Sequence, residues 1–480
     1  MLNNGPIVSV LQNHELSYPT SEDFFSPDKK YPEYPFDSIS VSPNKIYHAV
    51  RECFRQSGLD AKNYGNPDWN PLGLYIKRGQ SIFVLCNFVY HRRKLESKEN
   101  FFSKCTHASV IRAIIDYIFI AVGKKGRIRF GNAPLQSCIW EQVLGDTGAS
   151  SIIEFYEREV SGLVEACDLR SFKSKIGPFR TVTKTVDNRG SGDEVPVDMG
   201  ADSMLEALYS TDVSPAFRIA DYRPIEIEEC HANGKHVYLL ARKILEADNI
   251  FSIPKLKTHE KVLATLGIKG CVGGIAVKQC LAHHRKGAPV DLGDEYPDHQ
   301  WLSRVESNLG EAAMKSNSRI KNYFYQIIDR CLRIINRLIG GISAGAWKGN
   351  DTTWRMAIDI ARIFQYVDKS GKLRISPIRK HLTFVDGIIA GEGQGPLSPR
   401  NRHHGFLLFA DDVVAGDFIS LKFMGFKPEN VPIVIKAFEQ FRYPLTQTQP
   451  GKFLITVDGF SLDAMSAGNN VRPFQKPAGW

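Results

Sequence analysis

Residues 253–274 combine side chains that bind anions with side chains that transfer protons. Lys255, Lys257 and His259 follow a hydrophobic stretch, and Lys269 precedes a glycine-rich turn. Ammonium groups and an imidazole at the end of a strand suit acid–base chemistry or anion binding. The glycines let backbone N–H groups approach a phosphate or carboxylate. The alternative is a solvated basic loop followed by a turn.

A second segment, residues 384–396, places carboxylates beside glycines. Asp386 ends a hydrophobic stretch, and Glu392 lies in a loop with Gly393 and Gly395. A carboxylate next to such flexible backbone suits a general base or a group that binds hydroxyls. The alternative is a tight turn with an aspartate cap. The candidate catalytic residues are His259, Lys269, Asp386 and Glu392.

A third segment, residues 347–356, holds Asn350, Asp351 and Arg355 at the predicted start of a helix. A helix N-terminus facing an anionic or sugar-like ligand is one interpretation of this pattern. Plain capping of the helix is the alternative, and it is the role that these residue types most often have.

The histidines and cysteines give no metal-binding pattern. The pairs at 283–284 and 403–404 are adjacent in sequence, so their side chains point apart on a helix or strand. The nine cysteines include no CxxC or CxC spacing, which argues against a disulfide framework, a zinc ribbon and a ferredoxin-type cluster. We therefore expect no metal ligands, and the cofactor stays unknown.

Strands and helices alternate in a way that predicts parallel sheets. A strand at 80–87, a helix at 107–123 and a strand at 127–130 follow one another. Ligands of such sheets bind at the carboxyl ends of the strands, where Asn87 and Asn132 lie. The candidate substrate-binding residues are Asn87, Asn132, Lys255, Lys257, Asn350, Asp351, Arg355, Gly393 and Gly395.

The predicted fold class is α/β, with two doubly wound, mainly parallel-sheet domains and a β-rich insertion. The predicted division is an irregular arm at 1–40, an N-terminal α/β domain at 41–169, a β-rich insertion or interdomain layer at 170–235 and a C-terminal α/β domain at 236–480. The insertion includes an alternating stretch at 179–186. Other predicted helices are 44–58, 237–247, 352–366, 412–424 and 431–441, and other predicted strands are 249–253, 382–386, 406–410 and 452–456.

Composition and charge indicate which class of partner to expect. The 480 residues carry a net charge of +9, spread along the chain instead of forming a basic stripe interleaved with aromatics. We expect an anionic small molecule and no nucleic acid, because a few cations in a cleft suffice for such a ligand. With no predicted signal peptide or membrane span, the expected location is cytoplasmic.

The stretch 319–339 has apolar residues at helical spacing with arginines and lysine between them. Such a helix could lie on an anionic membrane surface. A helix that packs between domains is favoured instead, because this spacing is what a core-facing helix requires.

Taken in order, these motifs resemble those of the domain of unknown function 362 family from about residue 80 to about residue 440. The motifs are Pro-Lys-Leu-Lys-Thr-His at 254–259, Lys-Gly-Cys-Val-Gly at 269–273, Val-Asp-Gly at 385–387, Glu-Gly-Gln-Gly-Pro at 392–396, Val-Ala-Gly-Asp at 414–417 and Met-Gly at 424–425. The stretch at 347–356 is similar to a branch found with bacterial polysaccharide genes. The family usually has Lys-Asn where this chain has Lys269-Gly270, and many members carry a ferredoxin-like cysteine cluster that this chain lacks.

A fainter similarity is to the nickel-pincer lactate racemase family, in which a lysine ten residues after a histidine holds the cofactor covalently. His259 and Lys269 have that spacing. The resemblance implies an active site in a cleft between two α/β domains. We expect an enzyme that acts there on an anionic sugar or hydroxy-acid derivative, by proton transfer as in epimerisation. The alternatives are a non-catalytic nucleotide- or glycan-binding module linked to polysaccharide biosynthesis and a redox metalloprotein. Substrate, reaction direction and oligomeric state stay open.

Overall fold

One sheet joins strands from both ends of the chain and forms the centre of the molecule. The computed structural model describes residues 5–176, 182–188, 193–210, 212–219, 224–315, 318–469 and 471–480. The strands in these ranges are β1 (Ile7–Gln12), β2 (Ser81–Cys86), β3 (Arg127–Asn132), β4 (Val164–Asp168), β5 (Phe172–Ile176), β6 (Val182–Asp187), β7 (Glu194–Asp198), β8 (Phe217–Arg218), β9 (His231–Ala232), β10 (Lys235–Ala241), β11 (Asn249–Ile253), β12 (Lys255–His259), β13 (Leu263–Ala264), β14 (His284–Arg285), β15 (His381–Glu392), β16 (Arg400–Ala410), β17 (Leu454–Val457) and β18 (Phe460–Leu462).

Helices cover both faces of this sheet. The α-helices in the described ranges are α1 (Lys45–Gln56), α2 (Lys98–Phe102), α3 (Ala108–Val122), α4 (Trp140–Thr147), α5 (Ala149–Glu159), α6 (Pro224–Cys230), α7 (Arg242–Leu245), α8 (Gly267–Gly270), α9 (Trp301–Lys315), α10 (Arg319–Leu338), α11 (Thr353–Tyr366), α12 (Val413–Phe423) and α13 (Pro432–Ile435).

The strand order of the main sheet is β18-β17-β1-β16-β15-β11-β2-β3-β4. The strands β15, β11, β2, β3 and β4 run parallel, and β16 is antiparallel to its neighbours β15 and β1. This confirms the mixed α/β class with a mainly parallel sheet. Because β11 pairs with both β2 and β15, strands from residues 41–169 and from residues 236–480 share one sheet.

The core lies in two layers, one on each face of the sheet. Alternate residues of a strand point to opposite faces, so Ile82 and Val84 of β2 join one apolar cluster while Phe83 and Leu85 join the other. The first cluster contains the buried sides of α1, α3 and α5, and the second contains those of α11 and α12. Because both faces are covered, the central strands read as continuous hydrophobic runs.

Smaller antiparallel sheets occupy the region where a β-rich insertion was predicted. β5 pairs with β6, β7 pairs with β10, and β8 pairs with β14 from a later part of the chain. Within the alternating stretch predicted at 179–186, residues 179–181 lie outside the described residues.

Three local predictions are wrong. Residues 7–12, predicted as part of an irregular arm, form β1 between β16 and β17. Residues 237–241, predicted as the start of a helix, belong to β10 because β7 offers them a ladder partner, and a short apolar run does not by itself distinguish strand from helix. The helix predicted at 431–441 is limited to α13 and a following 3-10 turn.

The remaining predicted elements are confirmed within one or two residues at most ends. The helix α10 is present, and its apolar residues Ile327, Ile328 and Leu332 are half-buried. Phe324, Ile334, Ile335 and Leu338 are exposed, so the expectation that the apolar residues face a core is wrong for these side chains. Of the helices in the described ranges, none is both long enough and apolar enough to cross a bilayer.

Candidate functional site

The lysine–histidine segment is a buried strand, so the alternative of a solvated loop is wrong. β11 ends at Ile253, and the chain resumes as β12 beyond Pro254, alongside the second half of β15. The backbone of Lys255 is in register with Asp386, and that of Lys257 with Gly391. Every residue of β12 is buried, including both lysines. Burial of ammonium groups is costly unless each finds a partner.

Lys255 has such a partner. Its Nζ lies 3.0 Å from Oδ2 of Asp386, and both side chains are fully buried. The Tyr18 hydroxyl donates to Oδ1 of Asp386 at 2.6 Å, and the His107 backbone N–H donates to Oδ2 at 3.1 Å. Burial, reinforced by this carboxylate, raises the pKa of Tyr18 well above its usual value. With the Ile388 N–H, which donates to Oδ1 at 3.4 Å, four donors satisfy Asp386. Its geometry is that of a structural tie between β15, β12 and the N-terminal segment.

The neighbouring cations have no carboxylate partner. Within the described ranges, Lys257, Lys269 and Lys278 form no ion pair with an aspartate or glutamate. Lys257 donates to the backbone oxygen of Lys104 at 2.6 Å, and Lys278 to that of Val272 at 3.3 Å. The Lys269 side chain has no hydrogen-bond acceptor among the described residues, although the residue is only 8% exposed. We call Lys257, His259, Lys261, Lys269, Lys278 and His283 the cation cluster.

Burial and mutual repulsion shift the titration of these groups. Burial, followed by cationic neighbours, lowers the pKa of Lys257 to about 7 and that of Lys278 to about 7. The pKa of Lys269 falls to about 8, chiefly through burial and then through the charge on Lys261. Burial and then Lys269 hold the pKa of His259 and of His283 well below its ordinary value. Both imidazoles are therefore neutral at neutral pH, and Lys257, Lys269 and Lys278 titrate near it.

The short helix α8 positions Lys269. Its first N–H groups, on Gly267 and Ile268, donate to the two carboxylate oxygens of Asp417 at 2.7 and 2.9 Å. A Cβ on Gly267 would overlap a methyl group of Val413, so only glycine fits against α12 here. Burial raises the pKa of Asp417 to about 7, although the two N–H groups favour its ionised form. Asp417 thus anchors the helix that carries Lys269.

The glycine-rich turn after Lys269 lies on the carboxyl end of β3. The Gly273 oxygen accepts from the Ala133 N–H at 2.6 Å, and a Cβ on Gly273 would lie 3.2 Å from that of Asn132. The side-chain oxygens of Asn132 and Asn87 are buried and have no hydrogen-bond partner among the described residues. An unpaired buried acceptor is costly, so these two amides are open to a donor such as a ligand hydroxyl.

The acidic glycine loop meets β12 through its backbone. The Gly393 oxygen accepts from the Thr258 hydroxyl at 2.8 Å, and the Gly395 oxygen accepts from the Glu260 N–H at 3.0 Å. A Cβ on Gly395 would overlap the backbone oxygen of Thr258, so this close approach requires glycine. The two segments that the sequence singles out therefore lie together.

The Glu392 carboxylate is engaged by groups outside the cation cluster. It pairs with Arg400 at 3.2 Å and Arg402 at 3.3 Å, both on β16, and accepts from the Gln475 N–H at 3.1 Å. Although burial opposes ionisation, the backbone hydrogen bond at Gln475 and the arginine Arg402 lower the pKa of Glu392. This geometry fixes the C-terminal segment on β16 and β15.

The segment at 350–355 caps a helix and supports the cation cluster. Asn350 Oδ1 accepts from the Thr353 N–H at 2.8 Å, at the start of α11, and its Nδ2 donates to the His283 oxygen at 2.9 Å. Asp351 pairs with Arg355 at 3.1 Å. These contacts are the capping role expected as the alternative, and they also position the backbone of His283.

Sequence reasoning missed several residues of this region. Tyr18 lies in a segment without periodicity, so no signal marked it, and Lys278 carries no motif of its own. For His283 the sequence offers only its place in an adjacent histidine pair, which does not indicate a role in anion binding. Asp417 belongs to a family motif, which was the one available signal. Within the described ranges, no three histidine, cysteine or acidic side chains lie together in a way that could hold a metal ion.

The fold and this site define a mixed α/β protein with a buried cationic centre at the carboxyl ends of parallel strands. The sequence model described as "Domain of unknown function (DUF362)" matches residues 181–422, which is half of the chain. The chain belongs to this family.

Two further comparisons add little to this assignment. No curated protein matches the chain. Among solved structures, the crystal structure of a protein from Thermotoga maritima is similar at 12% sequence identity and a TM-score of 0.26, over 76% of this chain and 55% of that one. The chain thus spans about half the length of that protein.

The two lysines of β12 should differ sharply when replaced. Lys255→Met leaves the Asp386 carboxylate buried without its cation, so we expect a loss of about 3–5 kcal/mol in the free energy of unfolding, measured by urea denaturation. Lys257→Met, on the same strand, removes a charge that has no carboxylate partner and one hydrogen bond to a backbone oxygen, and should cost only about 1–2 kcal/mol. Equal losses for the two variants would contradict this assignment.

Asp417→Ala should destabilise the protein by about 2–3 kcal/mol, because two buried N–H groups of α8 lose their acceptor. Asp417→Asn, which keeps one acceptor, should cost less in the same thermal or urea measurement. Since its pKa is raised to about 7 in the folded state, Asp417 contributes stability below its unfolded pKa, and this contribution falls as pH rises toward 7. The Asn variant should lack that pH dependence, whereas an unchanged dependence would show that Asp417 is not its source.

Proposed function

We propose that the chain is an enzyme that binds an anionic small molecule at the cation cluster and transfers a proton with Lys269 or His259. The observation that carries the proposal is the burial of Lys257, Lys269 and Lys278 without any carboxylate partner among the described residues. Buried charges without partners destabilise a fold. A bound carboxylate or phosphate would offset that cost, which gives the arrangement a physical reason.

The acceptors around the cluster favour a hydroxylated ligand. The unpartnered amide oxygens of Asn87 and Asn132 can accept hydrogen bonds from hydroxyl groups, while Lys269 can donate to the anionic group. The close packing of Gly273 on Asn132 keeps that amide next to the turn that follows Lys269. A sugar acid, sugar phosphate or hydroxy acid combines the two kinds of group.

Proton transfer is supported by the altered titration of these side chains. A catalytic acid or base works best when its pKa lies near the working pH, and the pKa of Lys269 is lowered to about 8. Because the pKa of His259 is held low, its imidazole is neutral and able to accept a proton. Asp386 and Glu392 were expected as bases, but each is held by cations of its own, so the proposal gives them no catalytic role.

A non-catalytic module that binds the same ligand class is the second candidate, because the cluster would bind an anion equally well without turnover. Roles in polysaccharide biosynthesis, a lactate-racemase-like covalent lysine at Lys269 and a cytoplasmic location stay predictions from the sequence.

Sulfate, which keeps its charge across the neutral range, tests anion binding by isothermal titration calorimetry. Affinity should fall by about tenfold or more from about pH 6 to about pH 9, because Lys257, Lys269 and Lys278, with pKa values of about 7, 8 and 7, lose their protons over that range. Lys269→Met should lose at least about tenfold in affinity at about pH 6 without destabilising the free protein. Lys124→Met, at an exposed lysine outside the cluster, is the matched control. Unchanged binding in Lys269→Met contradicts the proposed anion site.

Deuterium incorporation separates the enzyme from the binding module. A mixture of hydroxy acids and sugar phosphates in D₂O should gain a carbon-bound deuterium in the presence of the protein, detected by mass spectrometry, because proton transfer exchanges the abstracted proton with solvent. His259→Ala and Lys269→Ala should each lower the rate by about a hundredfold or more. Sulfate binding without any exchange would favour the non-catalytic module.

A further inference from the structure

Helix α10 packs on the body of the protein through its polar side. Asp329 and Asn336 are 7% and 2% exposed. The Asn336 amide donates to Ser303 at 3.0 Å and to Glu306 at 2.9 Å, both on α9. Arg333 lies on the same side, 3.5 Å from Glu306. Hydrogen bonds and an ion pair thus join this side of α10 to α9.

The opposite side of α10 is apolar and exposed. Its exposed large residues are Phe324 at 61%, Ile334 at 62%, Ile335 at 50%, Leu338 at 80% and the following Ile339 at 67%. At 3.6 residues per turn, Phe324, Ile334 and Leu338 lie on the side of the helix away from Asn336, with Ile335 at the edge of that stripe, and Ile339 follows the end of the helix. A contiguous apolar patch on a surface marks a site of interaction. In α10 the most apolar side of the helix is the side that is exposed in the described structure.

The charges beside the stripe select the kind of partner. α10 contains five lysines and arginines and a single acidic residue, Asp329, which pairs with Arg333 and lies beside Gly310 of α9. Lys321 and Arg337 are exposed. A basic helix with one apolar face is typical of helices that lie in the interface of anionic lipid bilayers, with the apolar face in the headgroup boundary and the basic residues at the phosphates. Long basic side chains can keep their charges in water while their stems cover apolar surface.

An exposed aromatic residue at the start of α9, next to the end of α10, supports the same partner. The side chain of Gln300 accepts from the Ile342 N–H at 2.8 Å, so the start of α9 lies beside the end of α10. The next residue, Trp301, is 71% exposed. Tryptophan is enriched at the level of lipid headgroups, because its ring is apolar and its N–H is polar.

We propose that α10 docks this protein on the surface of an anionic lipid bilayer, with Phe324, Ile335 and Leu338 in the headgroup boundary. A second copy of the chain is a poorer occupant, because two such faces would bring two sets of like charges together. The proposal concerns the outer face of α10 and is independent of the proposed anion site.

Co-sedimentation with vesicles tests the docking surface in the full chain. The protein should bind vesicles of equal parts phosphatidylglycerol and phosphatidylcholine, bind pure phosphatidylcholine much more weakly, and lose binding at high salt. Phe324→Ser combined with Leu338→Ser should weaken binding by about tenfold or more, because the apolar face inserts. Ile375→Ser, at a residue that is 86% exposed and lies outside α10, should leave binding unchanged.

A second variant isolates the electrostatic part. Lys321→Gln with Arg337→Gln keeps the apolar stripe and should reduce binding to the anionic vesicles while leaving the weak binding to phosphatidylcholine unchanged. Circular dichroism verifies that each variant is folded. Failure of the wild-type protein to bind anionic vesicles overturns the proposal, as does unchanged binding in the Phe324/Leu338 variant. A wild-type dimer by light scattering that this variant dissolves, without vesicle binding, would assign the face to a second copy.

Discussion

The pairing of β12 with the far half of β15 is the constraint on which the rest of the site depends. Pro254 separates β12 from β11, and the buried Lys255–Asp386 ion pair holds the two sides of that junction in register. Tyr18 and His107 complete the pair with hydrogen bonds from distant parts of the chain. The ladder is irregular after Lys255, and the second pairing, of Lys257 with Gly391, places Lys257 and His259 beside the end of β15.

Beyond that anchored pair, the interior holds positive charge that the described carboxylates do not neutralise. A fold of marginal stability tolerates such a cost when a bound ligand offsets it. Hydrogen bonds and close backbone packing hold the segments that carry the cation cluster. Asp417 anchors α8, Asn350 holds the backbone of His283, and the glycine loop at 393–395 packs on β12 by backbone alone. A carboxylate, an amide and a backbone loop thus position the cluster from outside it.

Residues 283–286 connect the site to α9 and α10, which pack against each other as a helical hairpin. Lys286, two residues after His284, pairs with Glu311 of α9, and the Glu295 oxygen accepts from the Gly345 N–H. Among the described residues of this region, paired charges and unpaired positive charges therefore lie in different places. Acidic residues of α9 pair with the body, as Glu311 does with Arg218, and within the hairpin, as Glu306 does with Arg333. By contrast, Lys321 and Arg337 are exposed on α10.

The sequence by itself determined the α/β class, most strand and helix positions and the family, because alternating hydrophobic periods and strand-end motifs are local features. It also identified the segments near residues 260 and 390 that lie together. Only the tertiary structure decided that Lys255 is neutralised while Lys257 is not, that Glu392 belongs to arginines of β16, and that α10 turns its apolar side outward. Each of these depends on which distant residue supplies the partner, and spacing along a chain carries no such information.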